Sequence, residues 1–267
     1  MTASDAPSSL EVRLQEMMAP VSTYSSPAEG FWWDFTLGVV RAIDRPRPIL
    51  EIGWGDGSFS GTALETIDQA IDVNPHAVER ARRHSALYSN VRLMDARALT
   101  AEPKAFATVF ANCVLEHIPD LPRVLRAIRT TLRPAGRLVA TVPLHAMNDY
   151  LVIRRRWYAE MRRRQLVHVN LLTDLEWQAA LQAAGFTTVT MTPHLVGSQC
   201  QLWDRLDMVA CLGVRRYRLG AAYGIARQRL LPGAAQHRLN QGIVRALFHC
   251  TREPAAGPPC SVLIVAY

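Results

Sequence analysis

The chain has 267 residues, a formal net charge of +7 and 49% apolar residues, enough to bury a sizeable core and too apolar for a disordered or collagen-like protein. Its length suits one large domain or one domain with a long insertion, and the basic excess favours anionic partners without bearing on the fold. Five cysteines with no C-x-x-C pair argue against a disulfide framework or structural zinc cluster and fit a reducing cytoplasm, the expected location; no signal-peptide pattern opens the chain, and no apolar run reaches the ~20 residues that span a bilayer.

Leu10 to Met18 has the pattern of a short amphipathic helix, and Phe31 to Ile43 that of a helix with an aromatic start. Arg45-Pro46-Arg47-Pro48 breaks the chain before a first strand, Ile49 to Ile52. Short apolar runs then alternate with helical ones. A helix begins at Gly57, a strand runs from Gln69 to Val73, and a helix from Pro75 to Leu87 carries its proline in the first turn. Further strands are expected at Val91–Met94, Phe106–Ala111, Arg137–Val142, Phe186–Met191 and Ser261–Ala266, and helices at Leu121–Thr131 and Leu175–Ala184, the latter closed by Gly185. Continuously apolar strands alternating with helices predict an α/β fold: a Rossmann-like, seven-stranded, mostly parallel sheet with helices on both faces.

Two stretches interrupt the alternation, residues 143–174 and 193–259. The second predicts helices at Gln199–Leu212, Leu219–Leu230 and Ala235–Phe248. Both follow strand C-termini and are expected to form a helical cap. The organisation is then an N-terminal lid segment (1–44), a cofactor-binding core (45–142), a basic cap insertion (143–174), a core continuation (175–192), a helical cap (193–259) and a final strand (260–267).

The first strand runs into Glu51-Ile52-Gly53-Trp54-Gly55-Asp56-Gly57. Gly53 permits a sharp turn, and Gly55 and Gly57 allow close approach of a ligand to the backbone. The G-x-G-x-x-G spacing of dinucleotide enzymes is broken here. Asp72 ends the second strand, where an acid can accept both hydrogen bonds of a ribose diol. Asp95 ends the third. Asn112-Cys113-Val114-Leu115-Glu116-His117 leaves the fourth, and Arg133-Pro134-Ala135-Gly136 precedes the fifth.

In this order the landmarks resemble class I S-adenosylmethionine-dependent methyltransferases, in their small-molecule, type 11-like branch, over about residues 48–143. The resemblance implies S-adenosyl-L-methionine as cofactor. It implies that the glycine loop embraces the amino-acid end, that Glu51 orients that end, that Asp72 holds the ribose and that Asp95 meets the adenine amino group. Val73, Asn74 and Ala96 then lie near the ring, with Asn112 and Cys113 at the strand-four exit. Trp54 departs from the small residue common in that loop and is expected to shape or cover the methionine-side pocket. Asp56 either contacts the substrate side or caps the next helix.

Two histidines are candidate bases, His117 beside the methyl site and His145 after strand five. Asp149, Tyr150 and His168 are candidate acceptor contacts, with Tyr24, Trp33 and Trp203 as aromatic entrance residues. No H-E-x-x-H, paired-cysteine or clustered-carboxylate pattern appears, so no metal is expected. Six arginines lie between Arg154 and Arg164, in triplets eight residues apart, which predicts a shared basic helix face. Arg215 and Arg216 add basic charge at the second insertion. The face fits solvent, an anionic lipid-like acceptor, or contact with a membrane surface or a second subunit; nucleic acid is disfavoured without an accompanying motif.

The expected reaction is methyl transfer from S-adenosylmethionine to a bulky apolar or lipid-like small molecule, with O-methylation slightly favoured. C- or N-methylation of a natural product or phosphorylated isoprenoid, RNA methylation, and noncatalytic cofactor binding are the alternatives.

Overall fold

The computed structural model describes residues 9–24, 26–55, 57–82, 86–101, 105–214, 217–251 and 255–267. Asp56, Arg215 and Arg216 lie outside the described residues. In chain order the elements are α1 (Ser9–Thr23), α2 (Pro27–Arg41), β1 (Ile49–Ile52), α3 (Ser58–Ala63), β2 (Gln69–Asp72), α4 (Pro75–Arg82), β3 (Val91–Leu93), β4 (Phe106–Asn112), α5 (Leu121–Thr131) and β5 (Leu132–Pro143). There follow α6 (Arg156–Gln165), α7 (Asp174–Ala183), β6 (Val189–Val196), α8 (Gly197–Ala210), β7 (Gly213–Val214), β8 (Tyr217–Arg218), α9 (Leu219–Leu230), α10 (Gly233–Cys250) and β9 (Pro259–Ala266). They form two units, residues 36–197 with 258–267, and residues 1–35 with 198–257.

The first unit is built on a seven-stranded sheet in the order β3-β2-β1-β4-β5-β9-β6. β1 to β5 run parallel, and β9 enters antiparallel between β5 and β6. This is the expected Rossmann-like architecture. Strand order reverses between β1 and β4, and a ligand crevice belongs at the carboxyl ends of those two strands. Leu50, Ile52, Ile71, Val109 and Ala111 of the sheet pack with Leu121, Val124, Leu125 and Ile128 of α5 and with Trp177 and Leu181 of α7. Each large apolar side chain fully buried this way contributes about 1.5–3 kcal/mol.

Local chemistry sets the boundaries. Thr173 accepts a hydrogen bond from the Glu176 amide and Glu176 reaches back to the Thr173 amide, a reciprocal capping box that starts α7. Gly185, at φ 96°, closes it. Two strands differ from the sequence expectation. β5 starts at Leu132, because the Arg133–Gly136 turn is accommodated as a register shift against β4, with Ala135 at φ 59°. β6 begins later and runs on to Val196; Pro193 lies at a register shift against β9, where its missing N–H costs no regular ladder bond.

The basic insertion also differs. Only Arg156 of the first triplet is helical, and Arg162 is buried at 2% exposure, donating to Gln165 at 2.8 Å. Arg163 and Arg164 both hold Glu160, whose carboxyl they keep down at about 2. The arginine triplets therefore do not form one solvated face: the helix turns Arg162 into the protein along with Tyr158.

In the second unit α1 packs on α10. Arg227 is 3% exposed and donates to the carbonyls of Ser22 (3.0 Å), in the last turn of α1, and Tyr24 (2.7 Å), just after it, where carbonyls lack helical partners of their own. The polar interruption Asp34 in α2 is buried against Arg13. Trp203 of α8 packs on Trp32 with ring centroids 5.0 Å apart.

Candidate active site

The crevice at the ends of β1 and β4 is shaped by backbone first. Gly53, Gly55 and Gly57 all have positive φ, at 67°, 60° and 81°. A Cβ on Gly53 would lie 2.7 Å from Val114, so the exits of β1 and β4 can approach only with glycine there. Around Gly55, its chain neighbours aside, no atom of the described residues comes within 4 Å of such a Cβ, which leaves the loop open to a ligand. Arg80 of α4 holds the Gly55 carbonyl at 3.1 Å.

Glu51 lies under this loop, 1% exposed, and accepts a hydrogen bond from Ser60 of α3. Burial pushes its carboxyl up to about 7, against the opposing pull of the Ser60 and Tyr88 hydroxyls. α3 is only six residues long, so its dipole contributes less than the longer helix expected from Gly57 onward. Trp54 packs inward from this loop. It is 4% exposed, donates from Nε1 to the Ala77 carbonyl at 3.2 Å and packs 5.8 Å from the Tyr88 ring. It thereby anchors α4 to the loop.

At the end of β2 one carboxylate oxygen of Asp72 accepts from the Asn74 amide at 2.8 Å, which fixes the side chain's orientation. Asn74 in turn accepts from the His76 amide at the start of α4. Val73, between them, is 65% exposed, an apolar surface at the rim of the crevice. Ala96 is buried. Asp95 forms a forked pair with Arg97, which lowers its carboxyl. The Thr141 hydroxyl donates to Asn112 at 2.6 Å and accepts from the Cys113 amide at 3.1 Å, so β5 sets the sharp exit of β4, where Cys113 has φ 49°.

Beyond that exit the chain turns through Leu115–His117. Glu116 is 1% exposed, its Oε2 has no hydrogen-bond partner, and burial raises its carboxyl to about 8. The Nδ1 edge of His117 meets the Val167 carbonyl at 3.1 Å; read as the donor, it leaves Nε2 as the acceptor, 3.8 Å from Glu116 Oε1. The His168 ring lies 5.4 Å from the His117 ring. Burial lowers both imidazoles, His168 to about 4. The two segments are stitched together: the amides of Val169 and Asn170 donate to the Glu116 carbonyl, and the Asn170 side chain to those of Leu115 and Ile118.

Of the remaining sequence candidates, His145 is exposed, and its charge acts on Glu176 at the start of α7. Asp149 is exposed, while the Tyr150 ring lies on Gly197, where a Cβ would come within 2.2 Å of it. Tyr24, Trp33 and Trp203 belong to the second unit, Tyr24 packing on Trp33 at 5.9 Å. Sequence reasoning took Glu116 only as part of a segment. Its burial beside His168 comes from a contact spanning about fifty residues, for which no local spacing carries a signal.

Residues 28–191 match the model of a family described as a methyltransferase domain. The ubiquinone biosynthesis O-methyltransferase of Xanthomonas euvesicatoria is 35% identical over 96 residues, 34% of this chain and 40% of that enzyme. The malonyl-[acyl-carrier protein] O-methyltransferase of Xylella fastidiosa is 31% identical over 107 residues, 36% of this chain and 35% of that one. The matches thus span less than half the length of these curated relatives. Among solved structures, a SAM-dependent methyltransferase from Thermotoga maritima aligns with TM-score 0.55 at 15% identity over 88% of both chains, a likeness of fold.

This chain belongs to the class I S-adenosylmethionine-dependent methyltransferases. Its cofactor is S-adenosyl-L-methionine. The residues present fit that group: an open glycine loop, a buried carboxyl beneath it and an exposed apolar rim beside an oriented acid.

Proposed function

We propose that the chain methylates a hydroxyl oxygen of an apolar small molecule, activated at His117. The observation that carries this reading is the ring of His117, held at Nδ1 by the Val167 carbonyl at 3.1 Å beyond the exit of β4; in this reading Nδ1 carries the proton and Nε2 accepts. Val167 and Val169, 63% and 52% exposed, flank the turn and suit an apolar acceptor. Curated relatives named as O-methyltransferases support oxygen as the acceptor atom.

When bound, the cofactor supplies an activated methyl group, whose carbon bonds to the acceptor oxygen as the carbon–sulfur bond breaks. The protein's part is alignment and proton management. In this reading Gly53 and Gly55 make room for the methionine end, Glu51 orients it and Asp72 holds the ribose. His117 meets the acceptor hydroxyl, whose ordinary pKa lies far above neutral. His145 is the weaker base candidate, because its charge partner is Glu176.

A panel of phenols and alcohols of graded apolarity, assayed with labelled cofactor, tests the reading. His117→Ala is expected to lower kcat by about 10²–10⁴-fold with cofactor affinity unchanged. Undiminished turnover in that variant, or label entering only amines or RNA, overturns it.

A further inference from the structure

We infer that Glu116, His117 and His168 form a binding site for one first-row divalent transition-metal ion, with Zn²⁺ as the reference occupant. The three side chains each present a ligand atom, and these atoms all lie within 4.8 Å of one another. The separation between Glu116 Oε1 and His117 Nε2 is 3.8 Å. Two ligands at ~2.1 Å from a tetrahedral zinc stand somewhat closer than that, so a contraction of under an ångström per atom closes the site. Two imidazoles and a carboxylate are the donor set of catalytic zinc and related first-row centres, whereas Mg²⁺ and Ca²⁺ prefer oxygen alone.

Two further observations point to a ligand. Oε2 of Glu116 is buried and has no hydrogen-bond partner among the described residues, an unmet acceptor that a cation relieves. His117 meets a backbone carbonyl with its other ring nitrogen, the outer contact that orients metal-bound histidines. The frame is also rigid. His168 exchanges backbone bonds with Arg163, its amide to the Arg163 carbonyl at 3.0 Å and its carbonyl to the Arg163 guanidinium at 3.2 Å. Asn170 ties the same segment to Leu115 and Ile118. The ligands are thus pre-positioned across two segments, not gathered from loose loops.

Three protein ligands leave coordination positions for water or an acceptor oxygen. The site deepens the reading above, on which its role in methyl transfer rests: with the ion bound, His117 Nε2 is a ligand and no longer the proton acceptor, and activation of the hydroxyl passes through the cation, which lowers the hydroxyl's pKa and fixes the oxygen. The displaced proton passes to solvent.

Chelator-stripped full-length protein titrated with Zn²⁺ by calorimetry, and with Co²⁺ by visible absorption, tests the site independently of turnover. The expected result is one ion per chain, weakened at least about tenfold in both Glu116→Gln and His168→Gln, with circular dichroism unchanged. Rescue of the ligand set is expected in His168→Asp, which restores a donor. No stoichiometric binding by wild type, binding by both Gln variants as tight as that of wild type, or a thiolate charge-transfer band in the Co²⁺ spectrum overturns the site. Cation binding lost alongside full methyl transfer to hydroxyls in chelated protein overturns the metal's role and leaves the O-methylation reading standing. Cation binding intact without hydroxyl methylation overturns the O-methylation reading and leaves the binding site standing.

Discussion

At the residue scale the two loop glycines separate folding from binding. Both have positive φ, a backbone state that costs an alanine about 1–2 kcal/mol. Gly53 also faces Val114, while Gly55 faces open space. Gly53→Ala is therefore expected to lower stability well beyond that strain, because the ends of β1 and β4 must part. Gly55→Ala should cost little more than the strain, yet lose cofactor affinity, since its methyl group enters the crevice. Denaturant melts with calorimetric titration of S-adenosylmethionine distinguish the two; equal destabilisation contradicts the geometry. The acids and glycines of this crevice were legible in the sequence because each is fixed by its own strand end. Trp54 was not: its partner is a carbonyl in α4, and no spacing within the loop announces that contact.

At the element scale α7 depends on its ends. Removing the Thr173 hydroxyl leaves the Glu176 amide without its acceptor and takes one of two donors from the Glu176 carboxylate, which keeps the Thr173 amide. Thr173→Ala is expected to cost about 1 kcal/mol, read from urea midpoints. A cost near zero means the capping box contributes nothing. The helices and parallel strands were readable because their apolar periodicity is local. The extension of β6 through Pro193 was not, because only its pairing with β9, more than sixty residues on, shows that the proline falls at a register shift. The arginine run misled for a related reason. Spacing places two triplets on one helix, but tertiary packing decides that Arg162 turns inward.

At the scale of the whole molecule, stability carries a pH signature from titratable groups shifted by burial. Both ring nitrogens of His194 in β6 lack a hydrogen bond, and burial pushes the imidazole down to about 3. Below its ordinary pKa of 6.5 the unfolded chain takes up a proton that the folded chain refuses, so this contribution is present above pH 6.5 and lost as pH falls toward 3. Glu51 has the opposite sense. Its raised carboxyl keeps its proton in the folded state, so stability falls as pH rises from 4.5 to about 7. His194→Leu is expected to stabilise the protein, by about 1–3 kcal/mol for the unmet polar group, and to flatten the acid limb. Glu51→Gln should flatten the limb between pH 4.5 and 7. Unchanged slopes in both variants contradict the assignment. The class of the molecule was readable from five ordered landmarks; the meeting of Glu116 and His117 with His168 was not, because it exists only once the insertion folds back on the strand-four exit.

The claim on which the rest depends is that the crevice at the ends of β1 and β4 holds S-adenosylmethionine, with Asp72 on the ribose. Calorimetric titration of the cofactor into wild type and Asp72→Ala tests it most directly. The account predicts one cofactor per chain in wild type and an affinity lower by roughly 10–150-fold in the variant, the worth of hydrogen bonds to a charged group. Equal affinity in the two proteins, or no binding by folded wild type, contradicts it.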